Sequence, residues 1–158
     1  MTAKKILNSP AETSRLASVI AEIISELGPG PKSATVVALS GDLGAGKTSF
    51  TKSFLKHLGI TARVTSPTFI IMRVFDLPSG KAGFTSESNF KKAYHIDAYR
   101  VGPKDLIDLG LKDILKDPQN LVVIEWAERI KKILPEEIFW IKIEHGKHIH
   151  QRIFKVKH

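Results

Sequence analysis

The 158-residue chain contains no cysteine, which excludes disulfides and thiolate-held metal sites. Long apolar runs are also missing, and none approaches the ~18 residues that a membrane-spanning helix needs. The opening residues, Met1-Thr2-Ala3-Lys4-Lys5, lack the apolar stretch and cleavage site of a secretory signal, so a cytoplasmic protein is expected. Arginine is scarce, with six residues widely spaced among 18 lysines. Acids are outnumbered, 16 against 24 cations, which leaves a formal charge of +8. No RRM, KH or zinc-finger signature accompanies that charge. The surplus fits either a solvated lysine-rich surface or an acidic partner, RNA or a negatively charged protein surface. At 42% apolar and 25% charged, the composition is that of a globular protein, long enough for one domain spanning 1–158 with a sizeable core.

Against these absences stands one dense motif, Gly41-Asp42-Leu43-Gly44-Ala45-Gly46-Lys47-Thr48. The pattern GxxxxGKT places a glycine-rich turn between a strand and a helix, so that backbone N–H groups can wrap phosphates. Lys47 can reach the β- and γ-phosphates, and the Thr48 hydroxyl can ligate a bridging Mg²⁺. The flanks agree. Thr35-Val36-Val37-Ala38-Leu39 reads as a buried parallel strand. Phe50, Phe54 and Leu58 recur on one face of a following helix, which Gly59 ends.

Elsewhere, Ser9-Pro10-Ala11-Glu12 is a helix start. Leu16, Val19, Ile20, Ile23, Ile24 and Leu27 then form a stripe expected to face the core, and Gly28-Pro29-Gly30-Pro31 ends the helix. Residues 69–75 read as a strand, 76–92 as a long exposed hairpin loop, and 93–96 as the returning strand. A helical pattern over 104–115 is interrupted by Gly110, and 121–124 is a second fully apolar run. A short helix at 127–134 stops at Pro135, and 138–143 with 149–156 form a closing strand pair. The predicted fold is α/β and P-loop NTPase-like: a mostly parallel central sheet flanked by helices, with antiparallel strands at the edge.

A phosphate loop requires a second strand that delivers a carboxylate toward the cation. Leu121-Val122-Val123-Ile124-Glu125 supplies it, with glutamate where aspartate is more usual. In His95-Ile96-Asp97-Ala98-Tyr99-Arg100 the alternation puts His95 and Asp97 on one side of a strand. That strand is either a solvated edge, or it presents Asp97 as a basic or water-positioning group supported by His95 and Arg100. Ser66-Pro67-Thr68 reads equally as a turn and as a switch that senses a γ-phosphate. Trp126 is a packing residue, a nucleotide cover or a partner contact. His145, His148 and His150 have no acid or cysteine at ligand spacing, so they are expected to face solvent.

Taken in order, the 41–48 loop, Thr65-Ser66-Pro67-Thr68-Phe69, the cluster from His95 to Arg100, and Val123-Ile124-Glu125-Trp126-Ala127-Glu128 resemble the bacterial TsaE (formerly YjeE) family. The resemblance runs from the Glu12-Thr13 helix start to Arg152. It implies a small ATPase required for threonylcarbamoyladenosine formation at position 37 of tRNA. On that resemblance the loop would hold ATP, Thr48 and Glu125 would serve Mg²⁺, and Asp97 would be needed for hydrolysis. Lys47 would assist catalysis, while Thr13 and Arg152 would lie near the nucleotide. The implied partners are TsaD and TsaB, with ATP hydrolysis resetting their complex between rounds of modification. Two departures stand out: the 76–92 segment is longer than the usual family loop, and the charge of +8 is higher, leaving a direct tRNA contact open.

Other readings fit less well. Small P-loop kinases carry several lid arginines, which this arginine-poor chain lacks. A GTPase would show an Asn-Lys-x-Asp guanine-reading motif, absent here. A nucleotide-dependent binding module with vestigial hydrolysis remains as an alternative.

Overall fold

The computed structural model describes residues 2–61, 70–78 and 90–158. The Ser66-Pro67-Thr68 switch reading and most of the 76–92 loop reading therefore lie outside the described residues. Strands β1 (Thr2–Leu7), β2 (Thr35–Ser40), β3 (Met72–Asp76), β4 (Lys92–Asp97), β5 (Asn120–Glu125), β6 (Phe139–His145) and β7 (Arg152–Lys157) form one sheet in the order β1-β7-β6-β2-β5-β4-β3. The inner strands β6, β2, β5 and β4 are parallel. The β1–β7, β6–β7 and β3–β4 pairs are antiparallel. This is the expected mixed architecture, with β5 buried along its whole length, as a strand covered on both faces must be.

Helices α1 (Pro10–Leu27) and α2 (Lys47–His57) cover one face. The short helices α3 (Pro103–Asp108) and α4 (Leu111–Lys116), with the 3₁₀ segment Ala127–Ile133, cover the other face over β2, β4 and β5. None of the described helices is long and apolar enough to cross a membrane. The start of α1 follows its sequence signal: the Ser9 hydroxyl accepts from the Glu12 N–H at 3.2 Å, and the Glu12 carboxylate accepts from the Asn8 N–H at 2.8 Å. Gly28, at φ 67°, ends the helix and donates to the Ile24 carbonyl.

Three expectations need correction. The α1 stripe is narrower than its spacing suggests: Leu16, Ile20 and Ile24 are buried, whereas Val19, Ile23 and Leu27 are 43, 45 and 63% exposed. Small Ala17 and Ala21 lie on the buried side, which turns that side of α1 inward. Strand β1 was not expected at all, because five of its six residues are exposed and it shows no clear alternation. The 104–115 pattern, by contrast, is interrupted at Gly110 as expected, where φ is 89° and two short helices meet. The last strand begins at Arg152 rather than 149, and Ile149 is 81% exposed.

Candidate functional site

The carboxyl ends of β2, β4 and β5 converge on the N-terminus of α2, the usual position for a ligand cleft in an open α/β sheet. Between β2 and α2 the 41–48 loop turns through Gly41, Gly44 and Gly46, at φ 138°, 73° and 108°. Helix α2 starts at Lys47 without a side-chain cap. Its first N–H groups have no partner within the helix and carry its partial positive charge. Gly44, Gly46, Lys47, Thr48 and Ser49 line a cleft of about 430 Å³ with Asp97, Arg100, Glu125 and Trp126.

Lys47 is only 5% exposed. Its ammonium donates to the carbonyls of Gly41 and, at 2.9 Å, Asp42. It also sits 3.6 Å from the Trp126 ring centroid, a cation–π contact. Burial pushes its pKa below the ordinary lysine value, against the pull of Glu128, Glu125, Asp97 and Asp42. The lysine is therefore folded back on its own loop beneath an indole. Trp126 itself adopts φ 59° and packs against Tyr99 with the rings tilted by 40° and their centroids 4.8 Å apart.

The carboxylates are fixed by the sheet. The Thr48 hydroxyl donates to Glu125 Oε2 at 2.7 Å, and Glu125 Oε1 lies 2.7 Å from His95 Nε2. His95 is fully buried, and its Nδ1 has no hydrogen-bond partner. That arrangement fits the tautomer with the proton on Nε2, since an N–H at Nδ1 would be a buried donor left unmade. Asp97 stands in register with Glu125 on the neighbouring strand. It is 5% exposed, and its Oδ1 accepts from the Tyr99 N–H at 2.9 Å. The solvated-edge reading of this strand is overturned, because β4 lies between β5 and β3. Sequence alternation aligned His95 with Asp97, but the His95–Glu125 contact follows only from strand pairing.

Thr13 and Arg152 line a second cleft, of about 220 Å³, with Gly44, Ala45, Gly46 and Ser49 of the same loop. Thr13 is 8% exposed. The Arg152 guanidinium donates to the carbonyls of Ala45 at 3.0 Å, Ile149 at 2.7 Å and Gln151 at 2.8 Å. It braces the loop from β7, a role no local signal announces because its partners are backbone. His145 is exposed, as expected, and its Nε2 lies within 3.3 Å of the Leu43 carbonyl. His148 and His150 are exposed.

Comparison with known proteins settles the family. Residues 7–154 match the family described as threonylcarbamoyl adenosine biosynthesis protein TsaE. The chain belongs to the TsaE family. A curated TsaE relative from Rickettsia felis is 35% identical over 141 residues, 88% of this chain and 71% of its own length. One from Bacillus subtilis is 36% identical over 136 residues, 86% of this chain and 73% of its own. Both carry the name tRNA threonylcarbamoyladenosine biosynthesis protein TsaE. The crystal structure of Bacillus subtilis YdiB superposes with a TM-score of 0.72 at 29% identity, covering 99% of this chain and 84% of that one. In this TsaE-family chain Leu43, Gly44, Gly46, Lys47 and Thr48 of the loop share one cleft with Asp97 and Glu125, and Thr13 and Arg152 lie behind the loop beside Ala45.

Proposed function

We propose that this TsaE-family protein acts in tRNA threonylcarbamoyladenosine biosynthesis as a Mg²⁺-dependent ATPase. Its partners would be TsaB and TsaD, and hydrolysis would reset their complex between turnovers. The observation that carries the ATPase reading is the chain Thr48–Glu125–His95, with Asp97 alongside, at the mouth of a glycine-rich loop. Hydroxyl and carboxylate oxygens are the hard donors that Mg²⁺ accepts. Among the described residues no group of three or more His, Cys, Asp or Glu could hold a metal by itself. The donor set therefore suits a cation that arrives with phosphate oxygens. Bound with the nucleotide, that cation would offset charge growing on the phosphates.

The chain's own groups take the remaining roles. The N–H groups of the 41–48 loop bind the phosphate oxygens. Lys47 exchanges the Gly41 and Asp42 carbonyls for the terminal phosphates and moves from beneath Trp126. Thr48 and Glu125 would hold the cation, and His95 keeps the Glu125 carboxylate aimed. Asp97 orients the attacking water or takes up its proton. Thr13 and Arg152 flank the nucleoside side of the loop.

The test is ATP binding and hydrolysis by the purified protein, alone and with TsaB and TsaD, followed by tRNA modification over many turnovers. Hydrolysis is expected to rise with the partners. The near-isosteric variants Asp97→Asn and Glu125→Gln should keep the parent unfolding midpoint yet lose at least about 100-fold in turnover. A chain that binds no ATP, or variants with parental turnover, would sink the proposal.

A further inference from the structure

One cavity lies away from the loop, and it opens beside a stretch of sheet that, among the described residues, carries no helix. On β6, β7 and β1 the residues opposite Ile141, Phe154 and Leu7 point away from α1 and α2. Register places Trp140, Lys142 and Glu144 of β6 beside Lys157, Lys155 and Ile153 of β7. These in turn stand beside Thr2, Lys4 and Ile6 of β1. Among the described residues the helices on that side pack over β2, β4 and β5 and reach Ile138, just before β6, and Trp140 within it. The lysines of the bare face stay accessible, the Lys142 and Lys155 side chains at 53 and 43%. Glu144 binds both, at 2.8 and 2.7 Å, so one carboxylate is shared between two cations. Lys4 and Lys157 add two further cations to this face.

At one end of the face, Trp140 borders a cavity of about 680 Å³ with Leu134, Pro135 and Lys157. Lys131 lies 5.7 Å from the Trp140 ring centroid, and the indole N–H donates to the Ser40 hydroxyl at 2.9 Å. The ring is therefore held in place while cations flank it. Two acids, Glu136 and Glu137, form another part of the rim.

We propose that this face binds RNA, with the lysines on phosphates and an unpaired base entering the cavity beside Trp140. An acidic protein surface suits it less, because protein interfaces are depleted of lysine and enriched in arginine at their centres. Here the cations are all lysine, and the aromatic group sits at the edge of a flat charged field. Aromatic rings beside a cationic track are how single-stranded nucleic acid is held without sequence reading. RNA as the polyanion rests on the tRNA pathway proposed above, but not on ATP hydrolysis, so the two can fail separately.

The experiment is titration of unmodified tRNA with the full chain, without nucleotide, at several salt concentrations. Lys4→Gln, Lys155→Gln and Lys157→Gln are combined in one variant. Lys104→Gln, Lys112→Gln and Lys116→Gln, on α3 and α4, remove equal charge elsewhere. The first triple should raise Kd at least about tenfold and flatten the salt slope by roughly 0.7–0.9 per lost phosphate contact. The second should change Kd far less, and both should bind ATP as the parent does. Glu144→Gln, which frees two lysines, should tighten RNA binding. Equal weakening by the two triples, no tRNA binding by the parent at low salt, or an equal loss of binding to polyglutamate would overturn the proposal.

Discussion

Gly41 is the residue at which the loop has least room. A Cβ added there would lie 2.1 Å from the Ile143 carbonyl oxygen of β6, and φ is 138°. At Gly44, φ is 73° and nothing lies within 4 Å of an added Cβ. Gly44→Ala should therefore cost only the strain of a left-handed residue, about 1–2 kcal/mol. Gly41→Ala must also displace the loop from β6, so it should lower stability more and abolish ATP binding. Thermal unfolding with nucleotide titration checks this, and equal effects of the two substitutions would refute it. Both glycines were legible as motif positions, but their unequal burden was not, because it depends on a strand a hundred residues away. The same holds for His95: its side of the strand was readable, its contact with Glu125 was not. Arg152 and His145 reach the loop only through backbone carbonyls, and a sequence pattern carries no trace of such partners.

Among the elements, α2 followed its spacing and α1 followed it only in part. Phe50, Phe54 and Leu58 are fully buried, with Phe50 stacked on Phe54 at 5.9 Å and set against Phe154 of β7 at 6.1 Å. In α1 the apolar positions span a wider arc than the core can take. Ile24 is 1% exposed while its neighbour Ile23 is 45% exposed. Ile24→Ala should thus cost about 2–5 kcal/mol through transfer and cavity, and Ile23→Ala about 1 kcal/mol or less. Urea unfolding of the two variants measures the difference; similar losses would mean that α1 is rotated from the position described. Strand β1 was invisible for a related reason. An exposed edge strand buries almost nothing, so only its pairing with β7, from Thr2↔Lys157 to Leu7↔Arg152, gives it its form. Its Lys4 and Lys5 also suit an edge that must not recruit another chain.

Across the whole molecule, the parallel centre with antiparallel edges was readable from two apolar runs, one motif and the closing strand pair. What the sequence could not distribute was charge. A surplus of +8 reads as a uniform property, yet the fold gathers several of its lysines on one uncovered face, where Glu144 is their acid. The two lysine hydrogen bonds hold the Glu144 carboxyl down, from 4.5 to about 2. A carboxylate with a lowered folded pKa adds stability that is present above the unfolded value and disappears as pH falls through the folded one. Glu144→Gln should therefore lower the unfolding temperature slightly near neutral pH, in line with an exposed pair. The gap from the parent should narrow between about pH 5 and pH 2 and close below that, because the parent has then lost the same charge. It should also shrink in 1 M salt, where the screening length falls to about 3 Å. Thermal melts of both proteins across that range decide the matter. A gap that is as wide at pH 2 as at neutral pH, or is indifferent to salt, would show that Glu144 acts by packing, and the lysines it holds would then need another counterion.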